Sequence, residues 1–269
     1  FPDTSDVLDS PMSGSYEMFP KGGVTTEQLM KTGSASMTLA LGAFASESAA
    51  MSLETKCGVP FTVMDLPIGI RSTDRFVKSL LDLTGQIKPV ASMIEDRGRA
   101  LDMMTDMQHY LYGKKVGLYG DPDQVIAMTD FLISAGMRPV YVITGTPGKR
   151  FEDKVKTLLG NEACRCVVKS SADLFYLHQL IKSDPVDLII GNTYGKYIAR
   201  AEDIPFVRYG FPILDRVGHG FFPTFGYRGS IYLLTNIVNT LLDRIDRDSP
   251  EERFRSEERR VGKECRSRW

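Results

Sequence analysis

The sequence predicts an α/β fold: a Rossmann-like domain with a mainly parallel sheet, preceded by part of another α/β unit. Three observations predict it. Beyond Gly113, short apolar runs alternate with helical stretches of roughly ten to fifteen residues, the pattern that crossover connections between parallel strands produce. Turn and cap residues fall where strand-to-helix connections need them, as in Gly120-Asp121-Pro122. Composition is that of an ordinary water-soluble protein, 42% hydrophobic and 25% charged over 269 residues. No apolar run approaches the roughly 18 residues that a membrane-spanning helix requires.

Residues 1–88 read as an irregular lead-in followed by an incomplete α/β unit. Residues 1–24 are rich in Asp, Ser, Gly and Pro. Thr25-Thr26-Glu27-Gln28 offers a helix start before Leu29 and Met30. Thr38–Leu41 is a short strand, an alanine-rich helix ends near Gly58, and Val59–Leu66 returns to strand between Pro60 and Pro67. Ser72-Thr73-Asp74 is placed to cap a helix over Arg75–Leu83, which Gly85 ends.

Residues 89–254 form the Rossmann-like domain. A long helix over Pro89–Tyr112 opens it. Strands follow at Val116–Tyr119, Val140–Ile143, Cys164–Val168, Asp187–Ile190 and Phe206–Tyr209. Helices between them run from Asp121-Pro122 to Ala135, over Phe151–Leu159 and over Ala172–Ile181. The last helix, Gly229–Arg247, places Ile231, Leu234, Ile237, Val238, Leu241 and Ile245 on one side. No internal repeat is evident. Residues 255–269 lack apolar periodicity and resemble the translation of a sequencing-library adapter, so they are set apart from the fold. That segment holds six basic and three acidic residues, and without it the formal charge of −1 becomes −4.

The slight acidity gives no support for a nucleic-acid partner, and no segment suits a membrane. Of the four cysteines, Cys265 falls in the set-apart segment; the remaining Cys57, Cys164 and Cys166 are odd in number and sparse, which argues against a disulfide framework and fits a reducing cytoplasm. The N-terminal Phe1 follows no starting Met and reads as a chain already under way.

Few motifs carry chemistry on their own. The turn Gly117-Leu118-Tyr119-Gly120-Asp121-Pro122 lacks the third glycine of a dinucleotide fingerprint, and Asp121 would repel phosphate; a helix cap is the simpler role. Gly191-Asn192-Thr193-Tyr194-Gly195-Lys196 has Gly-Lys between a strand and a helix, but its glycines are too close for a phosphate loop and Tyr197 follows the lysine. It reads as a structural turn, at a sheet edge where ligands can sit. Cys164 and Cys166 would share one strand face, where packing suits them better than zinc. His109, His178 and His219 are isolated, and of these His219 lies in a glycine-rich loop of the kind that carries function. No catalytic or cofactor-binding group follows from spacing. Asp102 and Asp106 differ: one helical turn apart, they present two carboxylates on one face. They suit either a solvated face, relieved by Arg97 and Arg99, or a hard cation completed by oxygens from elsewhere.

Several separated blocks carry a resemblance. They are Asp3-Thr4-Ser5-Asp6-Val7-Leu8-Asp9, the segment Glu95–Arg99 with Leu101–Asp106, the turn Gly120–Asp123, and GNTYGKYIARAEDIPFVRYGFPILDR over residues 191–216. In this order they resemble the C-terminal half of the β chains of nitrogenase component 1, the molybdenum–iron protein, with compact loops closer to those of anaerobic bacteria. The resemblance covers nearly all of Phe1 to about Phe254. It implies a cytoplasmic oxidoreductase subunit that pairs with an α chain and a second β chain in an α2β2 assembly and meets an iron protein transiently. Electrons would pass through an eight-iron P-cluster to the molybdenum cofactor in α for ATP-driven reduction of dinitrogen, and the fragment alone would be inactive. The P-cluster cysteines of the family lie in the other half of the β chain; Cys57, Cys164 and Cys166 match none of them. Asp102 and Asp106 match two aspartates that help hold a cation, Ca2+ or Fe2+, between the two β chains. The alternatives are the related scaffold on which the molybdenum cofactor is assembled, a vanadium or iron-only paralogue, and a generic small-ligand binder. Light-independent chlorophyll-pathway reductases fit the blocks less well.

Overall fold

The computed structural model describes residues 11, 14–19 and 21–250; the Asp3–Asp9 block and residues 255–269 lie outside them. The chain divides into two compact units at Met64/Asp65.

The first unit holds one βαβ motif. Helix α1 (Thr26–Met30) starts with a capping box: the Thr25 hydroxyl accepts from Gln28 N–H and the Gln28 side chain accepts from Thr25 N–H. Strand β1 (Thr38–Leu41) leads into α2 (Ala43–Cys57), and strand β2 (Phe61–Met64) pairs with β1 in parallel, Thr38 opposite Phe61. Helix α2 ends at Gly58, whose left-handed backbone (φ 71°) returns its N–H to Glu54. β2 is shorter than the Val59–Leu66 reading because the prolines flanking it have no N–H to lend a ladder.

The second unit begins with α3 (Gly69–Thr84), α4 (Ala91–Asp106) and α5 (Gln108–Leu111). Then come β3 (Lys115–Tyr119), α6 (Pro122–Ser134), β4 (Arg138–Ile143), α7 (Lys149–Leu159), β5 (Val167–Lys169), α8 (Leu174–Ser183) and β6 (Leu188–Gly191). The chain closes with α9 (Lys196–Ala201), β7 (Phe206–Arg208) and α10 (Gly226–Asp248). The five strands are all parallel, in the order β5-β4-β3-β6-β7. This confirms the α/β class and the mainly parallel sheet.

β3 and β6 sit at the centre and are buried on both faces, so Val116, Leu118, Leu188, Ile189 and Ile190 form continuous apolar runs. Leu177 and Ile181 of α8 pack with Tyr141, Ile143 and Ile189 in one core cluster. Helix α10 packs on α4, α3 and β7. A second cluster joins Ile70 and Val77 of α3, Ala100 of α4 and Tyr227 of α10.

Several expected boundaries move, and four of these shifts have an evident structural reason. Helix α3 starts at Gly69, not after Ser72-Thr73-Asp74. Gly69 has φ 81°, and a Cβ there would lie 2.9 Å from the Phe131 ring. Ser72 and Thr73 therefore turn inward: Thr73 Oγ1 donates to Gly69 O at 2.6 Å, and Ser72 Oγ to Asp130 Oδ2 at 3.1 Å. The long helix expected over Pro89–Tyr112 breaks at Met107 into α4 and α5. Cys164 falls in a 3-10 turn, Gly160–Arg165, and Cys166 precedes β5, so the two thiols do not share a strand face. Helix α10 begins at Gly226, whose N–H reaches Pro67 O at 2.8 Å.

Helix α3, grouped with the lead-in by the sequence reading, packs on α6 and α10 in the second unit. Asp130 of α6 fastens it. This buried carboxylate lies 3.4 Å from Arg71 and 3.1 Å from Arg75, besides accepting from Ser72. Breaking a wholly buried ion pair costs roughly 3–5 kcal/mol, but both arginines are more than half exposed and can return to water. Asp130→Ala is therefore expected to lower stability by about 1–3 kcal/mol. Urea unfolding of the full-length protein checks it; an unchanged midpoint would show that α3 does not depend on this contact.

Candidate functional site

β3 and β6 are neighbours, yet the chain leaves them in opposite directions, towards β4 and towards β7. Ligands of open α/β sheets bind at such a switch point, beyond the carboxyl ends of the strands. Tyr119, the last residue of β3, fills part of that space. Its buried phenol accepts from Gly195 N–H at 2.7 Å and donates to Asn192 O. A Cβ on Gly191 would lie 2.3 Å from the Tyr119 ring, and one on Gly195 2.3 Å from its hydroxyl. Both glycines are there because the tyrosine is. Burial pushes the Tyr119 hydroxyl well above the usual phenol range, partly offset by the Gly195 hydrogen bond, so it is neutral and able to donate. The amide that a phosphate would need in this turn is already taken.

The rest of residues 191–216 is laced onto the same corner. Asn192 Oδ1 accepts from Tyr194 N–H at 3.2 Å. Thr193 donates its hydroxyl to Asp215 at 3.0 Å and accepts from Leu214 N–H at 2.7 Å, while its own N–H reaches Pro212 O. Arg208, at the end of β7, donates to the other oxygen of Asp215 at 2.9 Å. The Arg208 hydrogen bond, then that of Thr193 and the charge of Arg216, hold the Asp215 carboxyl at about 2.

Next to this corner a cavity of about 260 Å³ opens at the carboxyl edge, lined by Tyr119, Asp121, Thr144, Thr146, Asp173 and Asn192. Asp173 caps α8, accepting from Tyr176 N–H at 2.8 Å. Asp121 stands at the N-cap of α6 but makes no capping bond through its side chain, a correction to its expected role. Two carboxylates at the helix starts oppose a phosphate there.

Asp102 and Asp106 lie in the last turns of α4, both exposed. Arg97 and Arg99 do not relieve them. Arg97 grips Asp74 of α3 with two hydrogen bonds of 2.9 Å, and Arg99 is held by Glu95 and Asp96 at 3.1 and 2.8 Å. Tyr227 of α10 adds a 2.7 Å hydrogen bond to Asp74, and Arg228 one to Asp96. Burial alone would raise the Asp74 carboxyl, but Arg97 and Tyr227 outweigh it and hold it below the usual range. Helix α4 is thereby tied to α3 and α10, with its two later aspartates left in solvent.

The remaining candidates separate. His178 meets Glu202 at 2.6 Å, His109 is exposed beside Tyr110, and His219 lies in the loop after β7 with Nδ1 3.3 Å from Arg216 O. Cys57 and Cys164 are exposed, and burial pushes the Cys166 thiol up to about 12. Among the described residues no three His, Cys, Asp or Glu side chains gather as a metal site.

The model of nitrogenase component 1 type oxidoreductases matches residues 4–242. The chain belongs to the nitrogenase component 1 family. It is 50% identical over 94% of its length to the nitrogenase molybdenum–iron protein beta chain of Clostridium pasteurianum, covering 56% of that protein. The beta chain of Rippkaea orientalis is 40% identical over 92% of this chain and 48% of its own. A solved structure, Nitrogenase Cp1 at pH 6.5, superposes with a TM-score of 0.90 at 50% identity, over 93% of this chain and 55% of that one. The chain thus spans about half the length of the relatives it matches. Their names favour an enzyme subunit over the assembly scaffold.

Nitrogenase component 1 implies iron–sulfur clusters, and the three described cysteines do not fit one. Two are exposed, the third is disfavoured as a thiolate, and among the described residues no group of ligands gathers around them. Sequence reasoning also missed Tyr119, Thr193, Arg208 and Asp215 as one unit. The signal available was an aromatic residue ending a strand, with two glycines beside another strand end.

Tyr119→Phe leaves the Gly195 N–H and Asn192 C=O without their buried partner. It should destabilise by about 1–3 kcal/mol, seen as a lower urea midpoint with the fold retained; no change would make the phenol dispensable. Asp215 gives a pH test. Its folded carboxyl is depressed, so its contribution is full above the ordinary carboxylate range near ~4 and is lost as pH falls through about 2. The stability difference between wild type and Asp215→Asn should shrink across that window. A gap that stays constant would contradict the Arg208 pairing.

Proposed function

We propose that this chain is part of the β subunit of the molybdenum–iron protein, acting with an α chain, a second β chain and a transient iron protein in ATP-driven reduction of dinitrogen to ammonia in the cytoplasm. The observation that carries this is the 50% identity, over nearly the whole chain, with a protein named as that subunit. When bound, the P-cluster supplies electron relay to the cofactor in α. No step through it is assigned to this chain, whose described side chains do not form its site. What these residues contribute is a rigid Rossmann-like body with helix α4 clamped across α3 and α10. The test is co-expression of the full-length β chain carrying this segment with a nitrogenase α chain, followed by assay with iron protein and ATP. Co-purification with ammonia formation is expected; a β chain that neither binds α nor supports reduction overturns the reading.

Within that assembly, Asp102 and Asp106 supply two carboxylates to a cation, Ca2+ or Fe2+, between the two β chains. The support is physical: like charges one turn apart repel, and the arginines nearest in sequence are engaged elsewhere. A hard cation takes about six to eight oxygens, so other groups complete the shell and this half of the chain alone binds weakly. Asp102→Asn with Asp106→Asn in the full-length protein should remove one cation per site and loosen the β–β contact. Metal analysis and sedimentation read both. Unchanged metal content beyond the clusters, with an intact tetramer, would overturn it.

A further inference from the structure

Among the described residues, the sheet of the first unit has only two strands, β1 and β2, paired in parallel. Two strands are marginal in water, and parallel pairing is slightly weaker per residue than antiparallel. Parallel sheets occur almost only as larger sheets covered on both faces. Helix α2 packs on both strands, yet Leu39, Leu41, Phe61 and Val63 stay only half-buried. A further strand belongs beside this pair.

The register shows which backbone groups would receive it. Thr38 N–H donates to Pro60 O and Gly42 N–H to Met64 O, each at 2.8 Å. Successive residues of a strand turn their backbone groups to opposite sides. Thr38, Ala40 and Gly42 therefore face β2, while Leu39 and Leu41 turn theirs to the far edge. Phe61 and Val63 do the same on the outer side of β2. The Leu41 carbonyl is occupied by Ser46 Oγ at 2.7 Å. The Leu39 and Leu41 N–H groups and the Leu39 carbonyl have no partner among the described residues.

Of the two strands, β1 has the character of an interior one. Its Leu39-Ala40-Leu41 run is continuously apolar, as in strands buried on both faces. β2 breaks its apolar run with the exposed Thr62. The second unit holds the same strand–helix–strand form in finished state. There β6 and β7 are joined by α9; the later strand is the edge, and the earlier one pairs on its other side with β3.

We propose, on the reading of this chain as part of a longer β subunit, that β1 is an interior strand and that the rest of the subunit supplies a strand pairing with its Leu39–Leu41 edge. The chain spans about half the length of its relatives, which leaves as much again to provide that strand.

Two measurements on the full-length subunit in its α-chain complex test this. In hydrogen–deuterium exchange at single-residue resolution, the Leu39 and Leu41 amides are expected to exchange about a hundredfold or more slowly than those of Phe61 and Val63. Equal rates at the two edges, or slower exchange at Phe61 and Val63, overturn the proposal. Photo-leucine incorporation then identifies the source. Cross-links from Leu39 or Leu41 are expected to reach residues of the same β chain outside this segment, with the denatured product keeping single-chain mass. Cross-links confined to this segment, or running to α or to a second β chain instead, overturn it. Neither readout involves ammonia formation, so a subunit that fails the nitrogenase assay can still pass here, and the reverse.

Discussion

The corner around Tyr119 is the constraint on which the rest of the second unit depends. In a parallel sheet the strands can be ordered only if each crossover returns to the correct edge; the chain reverses direction in the crossover from β5 to β6, and the β6–α9 turn closes at the switch point beside β3. One phenol ending β3 satisfies both an N–H and a C=O of that turn, and its ring excludes a Cβ at Gly191 and Gly195. Thr193, Arg208 and Asp215 then pin the loop after β7 to the same point. A tightly hydrogen-bonded corner in a buried setting is costly to leave half-made, which keeps the arrangement single.

A second network does the equivalent for the helices. Asp74 receives Arg97 and Tyr227, and Asp96 receives Arg99 and Arg228, so α3, α4 and α10 meet through two carboxylates. These are partly exposed pairs, each worth little alone. Their use is positional, because the apolar contacts of Ile70, Val77 and Ala100 allow sliding that a bidentate arginine does not. Helix α4 therefore presents Asp102 and Asp106 from a fixed surface.

The alternation of strands and helices was legible because both periodicities are local and the sheet is buried on both faces. Misplaced readings came partly from contacts that no window of sequence contains and partly from local turns and pairs that compete with the expected pattern. Ser72 and Thr73 look like caps until Asp130, 58 residues away from Ser72, claims one of them. Cys164 and Cys166 look like a strand pair until a 3-10 turn intervenes. Arg97 and Arg99 look like partners for Asp102 and Asp106, being near in sequence, yet each found a better-oriented carboxylate.

By itself, the sequence determined the α/β class, the parallel crossovers and the family, since these reside in short-range pattern and in blocks of residue identity. From the glycine spacing and from Tyr197 after Lys196, it also read residues 191–196 as a structural turn in preference to a phosphate loop. Only the tertiary structure decided why that turn needs its glycines, where the arginines spend their hydrogen bonds, and which carboxylates are left in solvent. Pairings such as Arg97–Asp74 and Tyr119–Gly195 join residues distant in the chain, and their geometry is set by packing, which no linear spacing encodes.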